Sequence, residues 1–159
     1  MKKLALICIL AISTNLFAQH KMPNIALKNL KGEIVNSNLD FQKKEVLYVF
    51  SFWATWCAPC VQELDAISEV YSDWKSKINI EIIAVSVDDA RTEKRVKPLV
   101  NGKGWEYAVL FDTNQELKRS LSIANVPYTV VVKNNEIVYV QNGHSPGGEA
   151  EFFEILKGL

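Results

Sequence analysis

The sequence contains few cysteines and histidines and no excess of charge of either sign. Three cysteines among 159 residues are too few for the disulfide scaffold of a small secreted domain. A zinc site that used two of them would need two more ligands, and the chain offers only His20 and His144 besides carboxylates. The 18 basic side chains balance the 18 acidic ones, so nothing in the composition favours nucleic-acid binding.

Long hydrophobic runs are also missing. The apolar run at residues 4–12 is far shorter than the roughly 20 residues that span a bilayer. It follows two lysines and precedes a polar stretch and Ala18, an order that predicts a signal peptide over residues 1–18. Leu16 stands where the cleavage site prefers a small residue, so an uncleaved N-terminal membrane anchor is the alternative. We therefore expect export and a periplasmic location.

Cleavage after Ala18 would leave residues 19–159, a length that fits one domain with a substantial core. It would also remove two lysines, which gives a net charge of about −2. Cys8 would be lost as well, because it lies within the apolar run of the signal. Cys57 and Cys60 would remain, and two cysteines are what a redox pair requires.

These two cysteines lie where a strand is predicted to pass into a helix. Residues 46–53 form a continuous apolar and β-branched segment, which is typical of a central strand buried on both faces. From Cys60 onward, apolar residues at spacings of three and four predict a helix with one buried face: Leu64, Ile67, Tyr71 and Trp74. A thiolate at a helix N-terminus meets unpaired N–H groups and the positive end of the helix dipole, and both lower its pKa. The pattern indicates thiol–disulfide exchange.

The rest of the chain predicts alternating strands and helices that end in a hairpin and a helix. The predicted strands cover residues 78–87, 107–111, 126–133 and 136–141, and the predicted helices cover 91–100, 114–122 and 149–156. The second helix is expected to end before Asn-Gly-Lys-Gly at residues 101–104. The expected architecture is a mixed α/β sheet with helices on both faces.

The chain resembles the thioredoxin superfamily in three features. They are the segment Phe-Trp-Ala-Thr-Trp-Cys-Ala-Pro-Cys at residues 52–60, the later Val126-Pro127 pair, and the terminal hairpin and helix. It is most similar to the secreted TlpA/ResA-like branch, because of Ala-Val-Ser-Val-Asp at residues 84–88 and the helix inserted at 91–100. The resemblance covers residues 24–159. It implies a thioredoxin fold with a TlpA-like inserted helix and an N-terminal extension.

The two sulfur atoms are expected to have different roles. Cys57 stands first, at the exposed start of the helix, and is expected to be the nucleophile, with a pKa depressed into the range of about 3.5–7.5. Cys60 is expected to be buried and to resolve the mixed disulfide. The alternatives for the pair are half of a zinc site or an inert structural disulfide.

Glu63 is the candidate proton acceptor for Cys60. It lies three residues after Cys60 on the same side of the helix, so its carboxylate can reach back towards that sulfur. The resemblance implies a functional glutamate at this offset. Where thioredoxin carries a buried aspartate on its central strand, this sequence has Ser51, so Glu63 would have to take its place. The alternative is a solvated helix carboxylate, as we expect Glu69 to be.

The substrate contacts follow mainly from the resemblance. Val126 and Pro127 match a loop that carries a cis-proline facing the cysteines, and the Val126 backbone would pair with an extended substrate segment. Trp56 is expected to form an exposed platform beside Cys57. Pro59 fits the first helical turn, where a missing N–H costs little, and is placed with Trp56 at the substrate face.

Five further positions have two interpretations or a simple structural one. Trp53 belongs either to the core or to the site. Gly143 either lets a partner approach the site or serves as an ordinary turn glycine. His144 is expected at the surface, and Asp88 and Asp89 are expected in a turn at a strand end, because their spacing does not match a metal-binding loop.

The sequence therefore predicts a monomeric, single-domain thiol–disulfide oxidoreductase that acts on exported proteins. The resemblance implies a reductant that receives electrons from a membrane thiol-transfer protein and passes them to apocytochrome c or another exported dithiol protein. It implies no organic cofactor and no metal. The alternatives are a disulfide-forming oxidase, a peroxiredoxin-like peroxidase and a copper-delivery module of the same fold. Only the redox potential separates the oxidase from the reductant.

Overall fold

The fold is known from a computed structural model that describes residues 21–159. The predicted signal at residues 1–18 and the candidate ligand His20 lie outside the described residues. The described elements are β1 (Ala26–Asn29), β2 (Ile34–Asn36), β3 (Leu47–Trp53), α1 (Ala58–Lys77), β4 (Ile80–Ser86), a 3-10 helix (Glu93–Arg95), α2 (Val96–Lys103), β5 (Ala108–Phe111), α3 (Glu116–Ser120), β6 (Tyr128–Lys133), β7 (Glu136–Asn142) and α4 (Glu149–Lys157). None of these helices combines the length and apolar character needed to cross a bilayer.

The seven strands form one mixed sheet in the order β2-β1-β5-β4-β3-β6-β7. The central strands β3, β4 and β5 are parallel, and α1 and α2 supply the crossovers that parallel neighbours require. On one side of β3, the hairpin of β6 and β7 continues the sheet in antiparallel fashion. On the other side, the β1–β2 hairpin pairs antiparallel with β5. The predicted mixed sheet is confirmed.

Strand β3 is buried along its whole length, as its continuous apolar run predicts. Phe41 packs edge-on against Tyr48 and Phe50, with ring centroids 5.3 and 5.2 Å apart. Ser51 points to the opposite face, because side chains alternate along a strand, and hydrogen-bonds to Glu63 of α1. Helix α1 therefore covers one face of the central strand, and the segment that carries Phe41 covers the other.

Helix α1 buries the four apolar side chains that its periodicity predicts: Leu64, Ile67, Tyr71 and Trp74. Trp74 stacks on Phe153 of α4 with centroids 5.1 Å apart. Tyr107, just before β5, donates its hydroxyl to the Leu64 carbonyl over 2.7 Å. These contacts hold the cysteine-bearing helix against the sheet from two directions.

The second helix differs from the prediction of residues 91–100. Residues 93–95 form a 3-10 turn, and α2 runs from Val96 to Lys103. Pro98 falls in the first turn of α2, where its missing N–H breaks no intrahelical bond, so it does not limit the helix. The helix ends at Gly104, whose φ of 67° is the left-handed geometry of a C-terminal cap. The segment expected to break the helix therefore forms its last turn and cap.

Candidate active site

The cysteine pair lies at the junction between β3 and α1. β3 ends at Trp53, residues 54–56 form a short connection, and Cys57 is the N-cap of α1. Cys57 and Cys60 form a disulfide bond, with Cα atoms 5.3 Å apart. Cys57 is 6% exposed and Cys60 is 0% exposed. Cys60 is buried as predicted, whereas Cys57, which was expected to be exposed at the helix start, is also buried in the disulfide form.

The first turn of α1 leaves backbone donors free near these sulfur atoms. The first N–H groups of a helix have no intrahelical partner. Within α1, the first N–H group that finds a backbone acceptor is that of Val61, which donates to the Cys57 carbonyl over 3.1 Å. Pro59 is exposed and occupies the first turn, as predicted. A thiolate at Cys57 would therefore face the positive end of the α1 dipole.

Glu63 is a buried carboxyl group, not a solvated one. It lies one turn after Cys60, is 5% exposed and accepts a hydrogen bond from the Ser51 hydroxyl over 3.4 Å. Burial raises the pKa of Glu63 to about 7; the Ser51 hydrogen bond opposes the rise, and the charge of Glu149 adds to it. A carboxyl with this pKa exchanges protons readily at neutral pH.

Glu63 also lines a small cavity on the α4 side of the sheet. The cavity has a volume of about 180 Å³, and its lining includes His144, Glu149 and Phe152. One carboxylate oxygen of Glu149 is buried and has no hydrogen-bond partner among the described residues. His144 is half-buried in this lining, whereas the sequence predicted a surface histidine. Sequence reasoning missed Glu149, because nothing in its local pattern distinguishes it from the other acids of α4.

The Val126–Pro127 peptide bond is cis. Tyr128, the next residue, pairs with Phe52 near the end of β3, so this loop and the cysteine connection lie at the same end of the sheet. Gly143 adopts a φ of 84° and donates its N–H to the Pro127 carbonyl over 2.9 Å. The glycine is thus part of the support of the cis-proline loop.

The two tryptophans of the motif have different environments. Trp56 is 60% exposed next to Cys57, in agreement with a surface platform. Trp53 is completely buried and packs edge-on against Trp105, with centroids 5.1 Å apart. Of the two interpretations open for Trp53, the structure supports the core.

Asp88 is the clearest functional candidate that sequence reasoning missed. It was expected in a simple turn, but it is completely buried and hydrogen-bonds to Thr55 in the connection before Cys57. Asp89, in contrast, caps a local turn through Arg91 and Thr92. In residues 21–159, no group of three or more histidine, cysteine, aspartate or glutamate side chains is arranged to hold a metal ion.

A disulfide at the start of a helix, beside a cis-proline loop on a mixed sheet, defines a thioredoxin-like protein. In agreement, the chain resembles a solved thioredoxin-like protein from Porphyromonas gingivalis, with 40% identity, a TM-score of 0.76, and coverage of 87% of this chain and 90% of that one. The sequence profile of the AhpC/TSA family matches residues 18–141. The chain belongs to this family.

Two further relatives extend the comparison. The thiol-disulfide oxidoreductase ResA of Oceanobacillus iheyensis is 34% identical over 125 residues, which are 76% of this chain and 62% of the relative. The chain thus spans less than two thirds of the length of this curated relative. StoA from Bacillus subtilis shares the fold, with a TM-score of 0.65, 18% identity, and coverage of 84% of this chain and 97% of that one.

Proposed function

We propose that this protein is an exported thiol–disulfide oxidoreductase that reduces disulfide bonds in other exported proteins. The observation that carries the proposal is the Cys57–Cys60 disulfide at the start of α1, with a buried carboxyl, Glu63, one turn further along. The similarity to a protein named thiol-disulfide oxidoreductase supports the same reaction. Export rests on the predicted signal at residues 1–18, which lies outside the described residues.

The first step is attack by Cys57 on the substrate. In the reduced protein, the Cys57 thiolate attacks one sulfur of a substrate disulfide. A bond forms between Cys57 and that sulfur, the substrate disulfide breaks, and the other substrate sulfur leaves as a thiolate that takes a proton from water. The free N–H groups and the dipole at the start of α1 favour the thiolate form of Cys57.

The second step releases the substrate and uses Glu63. The Glu63 carboxylate takes the proton of the Cys60 thiol, and the resulting thiolate attacks Cys57. The Cys57–Cys60 bond forms, the mixed disulfide breaks, and the second substrate sulfur leaves as a thiolate. Two electrons have then passed to the substrate, and the protein is left in the disulfide form. Ser51 hydrogen-bonds the Glu63 carboxylate and so helps to place it.

The substrate is expected to bind along the cis-proline loop. The Val126 backbone offers main-chain hydrogen bonds to an extended segment, which gives affinity with little sequence preference. Trp56, exposed beside Cys57, and Pro59, exposed in the first turn of α1, complete the contact surface. Such a surface suits protein substrates whose disulfides lie in extended or unfolded segments.

The direction of electron flow is the finer part of the proposal. As in the TlpA/ResA-like branch, a membrane thiol-transfer protein would reduce the Cys57–Cys60 disulfide, and the acceptor would be the disulfide form of apocytochrome c or of another exported dithiol protein. The test is the reduction potential of the couple, followed by tryptophan fluorescence in defined thiol buffers. A value near or below about −250 mV supports a reductant, whereas a value near −120 mV would identify a disulfide-forming oxidase.

The roles of the two cysteines are tested by trapping the mixed disulfide. Cys60→Ser keeps the nucleophile but removes the resolving thiol, so it should accumulate a covalent complex with a disulfide-bonded test protein such as insulin. Cys57→Ser should form no such complex. Non-reducing electrophoresis followed by mass spectrometry identifies the linked cysteine, and a complex through Cys60 alone would overturn the assignment.

A further inference from the structure

Asp88 is a completely buried acid at the end of β4 that the exchange reaction does not use directly. Its carboxylate accepts three hydrogen bonds. The donors are the Thr55 backbone N–H at 2.8 Å, the Thr55 hydroxyl at 2.6 Å and the Ser86 hydroxyl at 2.9 Å. The Asp88 N–H in turn donates to the Ser86 hydroxyl oxygen over 3.2 Å. The side chain is thus fixed at its base and directed at Thr55.

This arrangement suits an aspartate, because both of its carboxylate oxygens act as acceptors here. None of the ion pairs found in residues 21–159 includes Asp88, so hydroxyl and amide donors alone satisfy the buried carboxylate. Burial of an acid without a cation is costly unless all of its acceptors are used. An asparagine would turn an NH₂ group towards one of the donors. A simple turn at the end of a strand would not need a buried carboxylate, because any exposed polar residue can take part in such a turn.

Through Thr55, Asp88 is hydrogen-bonded to the short connection between β3 and Cys57. At its start, the Trp53 carbonyl accepts a hydrogen bond from the Val87 N–H over 2.8 Å, and at its end, the Cys57 N–H donates to the Ala54 carbonyl over 3.0 Å. Thr55 lies between these two points. Asp88 therefore fixes the middle of a tight turn whose last residue carries the nucleophilic sulfur.

We propose that Asp88 is a positioning residue for thiol–disulfide exchange, which acts through Thr55 to keep the Cys57 sulfur at the N-terminal turn of α1. The inference rests on the proposed role of Cys57 as the nucleophile. When the hydrogen bonds between Thr55 and Asp88 are weakened, the Cys57 sulfur spends less time near the free N–H groups of the helix. The thiolate is then less stabilised, and Cys57 reacts more slowly at neutral pH.

Thr55 provides the sharper test, because its variants change no charge. Thr55→Val keeps the shape of the side chain and the backbone N–H but removes the hydroxyl donor to Asp88. Thr55→Ser keeps the donor and removes a methyl group. Asp88→Asn changes both geometry and charge and serves as a second variant, while Asp89→Asn, at the half-buried neighbour, is the control.

The measurement is the pH dependence of alkylation of the fully reduced full-length protein by iodoacetamide, with mass spectrometry to assign the label to Cys57. We expect Thr55→Val to react about three- to tenfold more slowly at neutral pH, the effect of one lost hydrogen bond, with a raised apparent pKa of Cys57. Thr55→Ser and Asp89→Asn should stay within about twofold of the parent. Asp88→Asn should also change the reduction potential of the couple.

Each outcome decides between positioning and simple structural support. If the variants lower only the melting temperature and leave the Cys57 profile and the reduction potential at the parental values, Asp88 merely stabilises the fold and the inference is wrong. If the parent itself shows no reactive thiolate at Cys57, the proposed function fails first. If Thr55→Val is slow and Thr55→Ser is not, the positioning role holds.

Discussion

Glu63 is the residue whose environment departs most from its ordinary state in water. A buried carboxyl that keeps its proton up to about pH 7 makes the folded protein more stable at acid pH than at alkaline pH. Below its ordinary pKa of 4.5, the group is protonated in both the folded and the unfolded chain and costs nothing. As the pH rises towards 7, the unfolded chain loses this proton first, and stability falls. Above that pH the penalty is complete, at about 3 kcal/mol.

Glu63→Gln should remove this penalty. In the oxidised protein, where neither cysteine titrates, we expect the variant to gain stability relative to the parent between about pH 4 and about pH 8, by up to about 3 kcal/mol. Urea unfolding across this range measures the difference. Glu69→Gln, an exposed acid on the same helix, is the control and should show a difference that does not change with pH. A Glu63→Gln difference that is equally flat would mean that Glu63 is ionised in the folded protein.

Glu149 makes a smaller contribution that kinetics can isolate. Its charge raises the pKa of Glu63 in addition to the larger effect of burial, so Glu149→Gln should lower that pKa without returning it to the ordinary value. On the proposed two-step mechanism, the reduced protein should react with an aromatic disulfide in two phases, of which the second reports the attack of Cys60. In Glu149→Gln, the rise of the second phase with pH should move to lower pH.

The matched control for this prediction is Glu154→Gln, in the same helix but exposed and paired with Lys157. It should leave both kinetic phases unchanged. A profile that does not move in Glu149→Gln would show that the two carboxyl groups do not interact across the cavity.

At the scale of single elements, the sequence correctly predicted the helices and strands whose apolar residues repeat at a regular spacing. The buried run of β3 and the apolar face of α1 are both as expected, because each is a repeated pattern that a whole segment must satisfy. The predicted start of α2 was wrong, because the polar and mostly charged residues 91–95 have no apolar repeat that would distinguish a helix from a turn. The end of α2 was wrong because Gly102 lies within the last helical turn, whereas Gly104 is the cap.

Two glycines allow a test of the difference between a glycine that is needed for its left-handed backbone and a glycine that lies within a helix. Gly143 has a φ of 84° at the support of the cis-proline loop, and Gly102 lies within α2. A β-carbon at either position meets no atom within 4 Å, so only the backbone conformation decides the effect. Gly143→Ala should destabilise the protein by about 1–2 kcal/mol, and Gly102→Ala should stabilise it by about 0.5–1 kcal/mol.

Thermal and urea unfolding of the two alanine variants measure these opposite signs. The Gly143→Ala protein should also turn over a protein disulfide more slowly, because the Gly143 N–H supports the Pro127 carbonyl. If Gly143→Ala left stability unchanged or raised it, the left-handed backbone at residue 143 would not be required, and a loss of stability in Gly102→Ala would contradict the helical prediction for residue 102.

At the scale of the whole molecule, the candidate site joins residues that are far apart in the sequence. Cys57, Cys60 and Glu63 lie within one short segment, and the sequence pointed to them through their spacing together with the family resemblance. Asp88 and Glu149 come from other parts of the chain, and only the pairing of β3 with β4 and the packing of α4 bring them near that segment. Asp88 ends the segment at residues 84–88 that carries the family resemblance, but neither that segment nor the local pattern around Glu149 indicates a role, because both roles arise from burial, which is a property of the complete fold.

The complete fold also bears on whether the protein is a monomer. Within residues 21–159, the large exposed apolar side chains lie at three separate places: Ile34 and Leu39 near β2, Trp56 at the candidate active site, and Val138 and Val140 on β7. β2 and β7 are the two edges of the sheet, and six strand spacings put them about 29 Å apart. The apolar side chains of the two edges therefore cannot join into the broad patch that a stable dimer would bury.

We expect light scattering to give the mass of a single chain across the micromolar range. An unprotected edge strand is the main route to self-association, and β7 is the longer of the two edges, although the register shift at Val131 and Val132 in its partner strand distorts the ladder there. Val140→Lys places a charge on the β7 edge, and Ile34→Lys places one near the β2 edge. A dimer that disappears only in Val140→Lys would contradict the expected monomer and would show that two chains pair through β7.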